Sequence, residues 1–213
     1  GVLCLGVDVD APEPVVQDDM LRLIFTCAHP ALSLEAQVTL ALRVLCGLST
    51  AQIASVLLSS EAAVAKRLTR TRAKIARAGI PYQVPAAADL PARLAAVCAV
   101  VFTLYTSAHT ATSGPHVSDV DGCREAVRLA RLILDLMPDE GAPMSVLALL
   151  LLTEARRGAR ADAGGHPVVL AEQDRGAWDP AAIEEGCRLL DTSLRRAGGI
   201  ADPYQLQAAI AAE

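Results

Sequence analysis

Six cationic side chains crowd one short segment of an otherwise acidic chain. Between residues 49 and 79 the only acid is Glu61, and the bases are Lys66, Arg67, Arg70, Arg72, Lys74 and Arg77. The segment therefore has a net charge of +5, whereas the whole chain carries −5 and the remainder −10. A basic segment inside an acidic protein is typical of a surface that binds a polyanion such as nucleic acid.

Helical periodicity predicts which of these side chains point the same way. A helix that begins after Ser59 or Ser60 and ends at Gly79 contains this whole set of bases. Its inward stripe is predicted to be Val64, Leu68 and Ile75. Four bases recur three or four residues apart on the opposite face: Lys66, Arg70, Lys74 and Arg77. The pattern predicts an amphipathic helix with a cationic outer face.

Shorter helices must position this basic helix. Ser33 can cap a helix over residues 34–45, which Gly47 would end. Ser49 and Gln52 have the spacing of a capping box, and this box predicts a helix over residues 50–57. A short helix, a turn of three or four residues and a second, basic helix form a DNA-binding helix-turn-helix. The alternative is that the basic helix is only a solvated surface.

Composition and loop residues predict the rest of the architecture. The chain has 213 residues, 53% of them hydrophobic and 3% aromatic, and Ala and Leu dominate. This composition favours an all-α fold. We predict a linker remnant at residues 1–19, a helix-turn-helix domain at 20–80, a Pro-rich linker at 81–91 and a helical extension at 92–213. Further helices are expected over residues 19–27, 91–106, 120–137, 143–157, 180–197 and 203–212, with a loop at 107–119. Paired helices could form a tetratricopeptide-like array, although no clean repeat is present.

The sequence contains little evidence for a metal site or for enzymatic activity. The six cysteines are widely spaced, and Cys27 with His29 lacks the second ligand pair that a zinc site needs. His109, Asp119 and Asp121 fall in the predicted loop, but no nucleophile motif or glycine-rich phosphate loop accompanies them. We therefore expect no metal, no cofactor and no enzymatic activity.

The apolar stretches are too short to predict a membrane span. Residues 94–105 and 144–152 are the longest, and a membrane-spanning helix needs roughly 20 residues. The apolar start of the chain lacks the basic residues and the cleavage site of a secretory signal. We expect a cytoplasmic protein without a membrane partner.

The basic segment and its surroundings resemble a known family. The stretch "LSTAQIASVLLSSEAAVAKRLTRTRAKIARAGIPYQVP" resembles the region-four helix-turn-helix of extracytoplasmic-function (ECF) sigma factors, which are sigma-24-like. The stretches "LPARLAAVCAVVFTLY", "LALLLLTEARRGAR" and "PYQLQAAIAA" resemble the subgroup with a long helical, tetratricopeptide-like C-terminal extension. The resemblance covers roughly residues 18–212.

The resemblance implies a function, partners and site residues. Region four of this family reads the upstream promoter element in double-stranded DNA and touches the flap of the RNA polymerase core. By similarity, Lys66, Thr69 and Arg70 match positions that face bases. Three further bases match positions on or near phosphates: Arg67, Arg72 and Lys74. Leu58 stands where the family often has glycine, and Ala65 where it often has a longer polar side chain.

Two expectations concern the extent of the chain and the competing interpretation. The sequence begins without Met, and the family's region two, which melts DNA, is missing, so we expect a sigma factor fragment. The alternative function is a helical protein-interaction or regulatory module without specific DNA binding. A test of sequence-specific DNA binding distinguishes the sigma factor fragment from this interaction module. The oligomeric state is not predicted.

Overall fold

The computed structural model describes residues 14–111, 120–162, 164, 166–199 and 201–213, with side chains described for 19–109 and from 122 onward where the backbone is. Every regular element in these ranges is helical, apart from one isolated bridge between Ala161 and Pro167. The α-helices are α1 Pro14–Cys27, α2 Leu34–Val44, α3 Thr50–Val56, α4 Glu61–Ala78, α5 Leu90–Ala111, α6 Val120–Leu136, α7 Gly141–Glu154, α8 Pro180–Arg196 and α9 Pro203–Ala212. The predicted all-α fold is confirmed.

Local capping residues set the helix boundaries near the basic segment. The Ser33 side chain caps α2, and the predicted capping box of Ser49 and Gln52 is present at α3. Ser60 accepts a hydrogen bond from the Ala63 N–H at the start of α4, over 3.2 Å. Gly79 ends α4 in the left-handed conformation, with φ of 59°. These caps satisfy backbone groups that the helix cannot pair itself.

Three predicted helices have wrong boundaries, one of them α7, which spans Gly141–Glu154 instead of residues 143–157. The first helix begins at Pro14 instead of residue 19, and α5 continues to Ala111 through the first part of the predicted loop at 107–119. Contacts distant in sequence accompany the extra turn of α5, because His109 meets Arg160 and Tyr105 meets Glu154. His109 is therefore helical, and Asp119 and the Asp121 side chain lie outside the described residues.

One hydrophobic core runs through α1 to α3 and into the extension. Phe25 and Leu42 belong to the same buried cluster as Leu104 of α5 and Leu150 of α7. Residues 81–89 connect the two parts without a helix, and Pro91 falls in the first turn of α5. Proline is tolerated there because the first helical N–H groups have no intrahelical partner. The helix-turn-helix therefore packs directly against the extension.

The extension consists of antiparallel helix pairs. Helix α5 packs on α6, α7 packs on α8, and α9 covers α7. Gly186 of α8 permits a close approach, since a Cβ there would lie 2.8 Å from the Leu152 Cγ atom. Phe102 and Tyr204 meet edge to face with ring centroids 5.3 Å apart. These contacts make the extension a packed helical layer.

Helix α5 is longer than predicted and contains an apolar stretch of 20 residues. Residues Leu90–His109 are long and apolar enough to cross a membrane by length and composition alone. The helix packs against α2, α6 and α7, and its residues Leu94 and Leu104 are fully buried. A core helix passes the same test of length and composition, so this property does not point to a membrane.

Candidate nucleic-acid interface

Helices α3 and α4 are joined by a tight turn. The Ser59 N–H donates to the Ala54 carbonyl oxygen over 2.8 Å and closes the turn behind α3. Leu58 has a positive φ of 46°, which residues other than glycine seldom adopt, and it is 75% exposed. Glycine adopts this left-handed conformation more readily than other residues do. The turn keeps a glycine-like backbone although the residue is leucine.

The inner face of α4 fixes the helix against its neighbours. Val64, Leu68 and Thr71 are buried, and Ile75 is half-buried. The Thr71 hydroxyl donates to the Arg67 carbonyl oxygen over 2.9 Å, so its polar group is satisfied within the helix. The predicted apolar stripe is confirmed, with Thr71 as an addition that the sequence analysis missed.

The outer face of α4 presents cations to solvent. Five of its bases are exposed: Lys66, Arg70, Arg72, Lys74 and Arg77. Within the described part of the chain, none of these five side chains forms an ion pair or a hydrogen bond. Thr69 is also exposed, and its hydroxyl donates back to the Ala65 carbonyl oxygen. This face therefore has uncompensated positive charge, as a surface for phosphates and base edges requires.

Arg67 differs from the other bases of α4. Its Nη2 atom lies 3.1 Å from Oε1 of Glu35, and its Nη1 donates to the Thr39 hydroxyl over 3.3 Å. Its side chain is only 19% exposed. The family resemblance groups Arg67 with the phosphate contacts, but in the structure its guanidinium lies against α2. A phosphate contact at Arg67 stays a prediction.

Two arginines of the extension donate hydrogen bonds to carbonyl groups at the ends of α1 and α2. Arg128 of α6 donates to the Leu45 carbonyl oxygen at the end of α2 over 3.0 Å, and Arg93 of α5 donates to the Phe25 carbonyl oxygen. Guanidinium groups that cap helix ends in this way satisfy carbonyls without intrahelical partners. The exposed bases of α4 do not take part in these contacts.

Cys27 and His29, two positions apart, have the environments of structural residues instead of metal ligands. Cys27 is buried, and burial raises the pKa of its thiol to about 12, so the thiol keeps its proton. The His29 Nδ1 atom accepts a hydrogen bond from the Ala31 N–H over 3.1 Å, which occupies its lone pair. Burial, aided by Arg93, lowers the pKa of His29. These contacts favour packing over metal binding.

A second group of potential ligands comes together only in the fold. His109, Cys123 and Glu154 lie on α5, α6 and α7, and their ligand atoms are within 4.8 Å of one another. Their spacing in the chain gives no motif, so the sequence alone does not predict this cluster. The Arg160 Nη1 atom lies 3.0 Å from the His109 Nδ1 atom, and the Tyr105 hydroxyl donates a hydrogen bond to the Glu154 carboxylate over 2.8 Å.

Electrostatics makes this cluster a poor cation site. Glu154 is already ion-paired with Arg157, and burial together with three nearby arginines lowers the pKa of His109 to about 4. Those arginines are Arg160, Arg157 and Arg156. A divalent cation placed here would face their positive charge and displace the chain's own donors. The arrangement is a partly buried hydrogen-bond network that connects α5 to α7.

Two protein families match separate parts of the chain. Residues 22–75 match sigma-70, region 4, and this range holds α2, α3 and most of α4. Residues 93–194 match a family of unknown function, DUF6596, which coincides with most of α5 to α8. The exposed bases of α4, apart from Arg77, therefore fall within the sigma-70 match.

One curated relative matches both parts together. An uncharacterized protein of Rhizobium meliloti (strain 1021), R00370, is 46% identical over 197 residues. The alignment covers 92% of this chain and 46% of the relative, so the chain spans a little under half of the relative's length. No solved structure matches the chain.

Proposed function

We propose that this chain, whose residues 22–75 match sigma-70 region 4, is part of an ECF-type sigma factor that brings RNA polymerase to a promoter. Sigma-70 region 4 suggests promoter recognition and association with RNA polymerase, and its presence supports a sigma-70 family factor. In the proposal, α4 reads the upstream promoter element in double-stranded DNA. In the proposal, the extension, most of which matches DUF6596 at residues 93–194, is part of the same factor.

The observation that carries the proposal is the uncompensated positive face of α4. A helix is about 10–12 Å across, and the major groove of B-DNA is about 12 Å wide, so α4 fits the groove. Lys66, Thr69 and Arg70 are assigned to base edges. Arg72 and Lys74 are assigned to phosphates. The negative charge of the remaining chain limits contact to this face, because it repels DNA elsewhere.

The proposed partners and location follow from the family. Duplex promoter DNA and the RNA polymerase core are the partners, and the cytoplasm is the compartment. No cofactor takes part in the proposed role. The extension is proposed to orient region four, since α5 and α6 contact the ends of α1 and α2.

A selection experiment tests the proposal and does not require a known promoter sequence. The full chain is incubated with a library of random-sequence duplexes at physiological salt, and bound duplexes are amplified and sequenced. We expect a defined consensus that the chain binds at least tenfold more tightly than a random duplex. The matched control Arg195→Ala removes an exposed arginine of α8 and should leave this ratio unchanged.

The alternative function gives the opposite result. A helical protein-interaction module without specific DNA binding would enrich no consensus and would bind selected and random duplexes equally. That outcome, obtained with a chain that unfolds cooperatively and is therefore folded, would contradict the proposed promoter-reading role.

A further inference from the structure

We propose that Arg67 is a positioning residue that braces the recognition helix α4 against α2 and does not act as a phosphate ligand. This inference rests on the proposed DNA-binding function of α4. It separates Arg67 from the other five bases of the helix, which are exposed and have no ion pair within the described residues.

The position of Arg67 on the helix brings its side chain close to α2. At 3.6 residues per turn, Arg67 lies about 60° around the helix axis from buried Val64, whereas Lys66 lies about 160° away. Arg67 is thus at the edge of the buried face, and Lys66 is on the opposite side. The exposed fraction of the Arg67 side chain, 19%, agrees with this placement.

The contacts of Arg67 are those of a two-point brace. One guanidinium nitrogen meets the Glu35 carboxylate over 3.1 Å, and the other donates to the Thr39 hydroxyl over 3.3 Å. Thr39 is fully buried, and its hydroxyl donates a hydrogen bond to the Glu35 carbonyl oxygen over 2.7 Å. This bond orients the Thr39 oxygen so that it can accept the hydrogen bond from Arg67. The planar fork of arginine reaches two partners on α2 that a lysine ammonium would not span in the same way.

The brace fixes the rotation of α4 relative to α2. Rotation of α4 moves Lys66 and Arg70 relative to the base edges. Loss of the brace should therefore have a larger effect on the discrimination between sequences than on the total electrostatic attraction to DNA. A phosphate ligand has the opposite signature: its loss weakens binding to all sequences and lowers the salt dependence by about 0.9 in the log–log slope.

Three variants of the full chain separate the two roles, with a duplex selected by the wild-type chain and a random duplex as probes. If Arg67 is a brace, the preference for the selected over the random duplex falls at least fivefold in both Arg67→Ala and Arg67→Lys. The log–log slope of affinity against salt concentration stays at the wild-type value in Arg67→Ala. Glu35→Ala also lowers the preference, although it removes a negative charge near the DNA. The comparison variant Arg72→Ala lowers the slope by about one.

The opposite pattern would overturn the inference. A phosphate ligand predicts a lower salt slope for Arg67→Ala, near-normal preference for Arg67→Lys, which keeps the charge, and tighter binding for Glu35→Ala. If the wild-type chain selects no duplex, the proposed function fails, and thermal unfolding without DNA still tests the brace. The combined variant Glu35→Ala with Arg67→Ala should then melt no lower than Arg67→Ala alone, whereas fully additive decreases in melting temperature would show that the two residues do not act together.

Discussion

Arg93, in the first turn of α5, donates a hydrogen bond to the carbonyl oxygen of Phe25 near the end of α1. The two residues are 68 positions apart and lie on opposite sides of the Pro-rich segment at 81–89. Arg93 is part of the extension, whereas Phe25 is buried in the core beneath the helix-turn-helix. The DNA-reading part and the extension are therefore joined by a polar contact as well as by shared apolar packing.

Replacement of Arg93 should destabilise both parts of the chain together. Arg93→Met keeps much of the apolar stem but leaves the Phe25 carbonyl without this donor, at a cost of about 1–3 kcal/mol. Trp178, the one tryptophan of the sequence, reports on the extension, and circular dichroism reports on all helices. Urea unfolding should show the same lowered midpoint by both signals. Two separate transitions would contradict a shared core, and Arg195→Ala serves as the surface control.

Close packing of α7 on α8 makes Gly186 sensitive to a single methyl group. Alanine normally stabilises a helix relative to glycine, but a Cβ at Gly186 would lie 2.8 Å from Leu152 Cγ and 3.3 Å from the Ala148 carbonyl oxygen. Gly186→Ala should therefore lower stability by about 1–3 kcal/mol in thermal unfolding. Gly141→Ala is the matched control, because its Cβ would meet nothing closer than 3.8 Å. Equal or greater stability of Gly186→Ala would show that α7 and α8 can separate enough to admit the methyl group.

The partly buried imidazole of His109 should make stability depend on pH. Burial, with Arg160 beside the ring, lowers its pKa from 6.5 to about 4. The unfolded chain takes up a proton at His109 below about pH 6.5, whereas the folded chain does so only below about pH 4. Because the unfolded state binds more protons in this window, the free energy of unfolding falls as the pH is lowered through it.

A variant isolates this contribution from that of the carboxylates. His109→Gln keeps a hydrogen-bond acceptor near Arg160 but does not titrate. Its melting temperature should fall less than that of the wild type between pH 6.5 and 4, and the difference between the two proteins should be constant above pH 7. Parallel curves through the acidic window would place His109 in a solvated environment instead.

The phosphate-directed bases of α4 should control the salt dependence of DNA binding. Arg72 and Lys74 are exposed and have no ion pair in the described chain, so each is free to neutralise a phosphate. Arg72→Ala and Lys74→Ala should each weaken binding to selected and random duplexes alike. Each should also lower the log–log salt slope by about one. Fluorescence anisotropy between about 50 and 200 mM salt measures both quantities, and an unchanged slope would remove that residue from the phosphate contacts.

Local signals in the sequence were sufficient for most helix boundaries. Ser33 and Ser49 cap the helices that they were expected to cap, Ser60 is the one of two candidate serines that caps α4, and Gly79 ends α4. These signals are local, because caps depend on residues only a few positions apart. The stripe of Val64, Leu68 and Ile75 likewise follows from helical periodicity alone.

Features that depend on distant contacts were missed. The last turn of α5 is helical because His109 and Tyr105 meet residues about 50 positions away, on and just after α7, and no local pattern encodes this. The pairing of Arg67 with Glu35 also joins different helices. A signal for it was present, since Arg67 lies three residues after Val64 and four before Thr71, at the edge of the buried face. Charge and family resemblance alone do not distinguish a brace from a phosphate contact.

Sequence discrimination by Lys66 and Arg70 tests the central claim most directly. Both side chains are on the exposed face of α4, and each is assigned to a base edge. The measurement is the ratio of dissociation constants for a random and a selected duplex, determined at one fixed physiological salt concentration for the wild type, Lys66→Ala and Arg70→Ala. We expect each variant to lose about 1–3 kcal/mol of binding to the selected duplex, and to lose much less with the random one, so the ratio falls about 5- to 150-fold. Variants that bind both duplexes as the wild type does would contradict the assignment of α4 as the recognition helix.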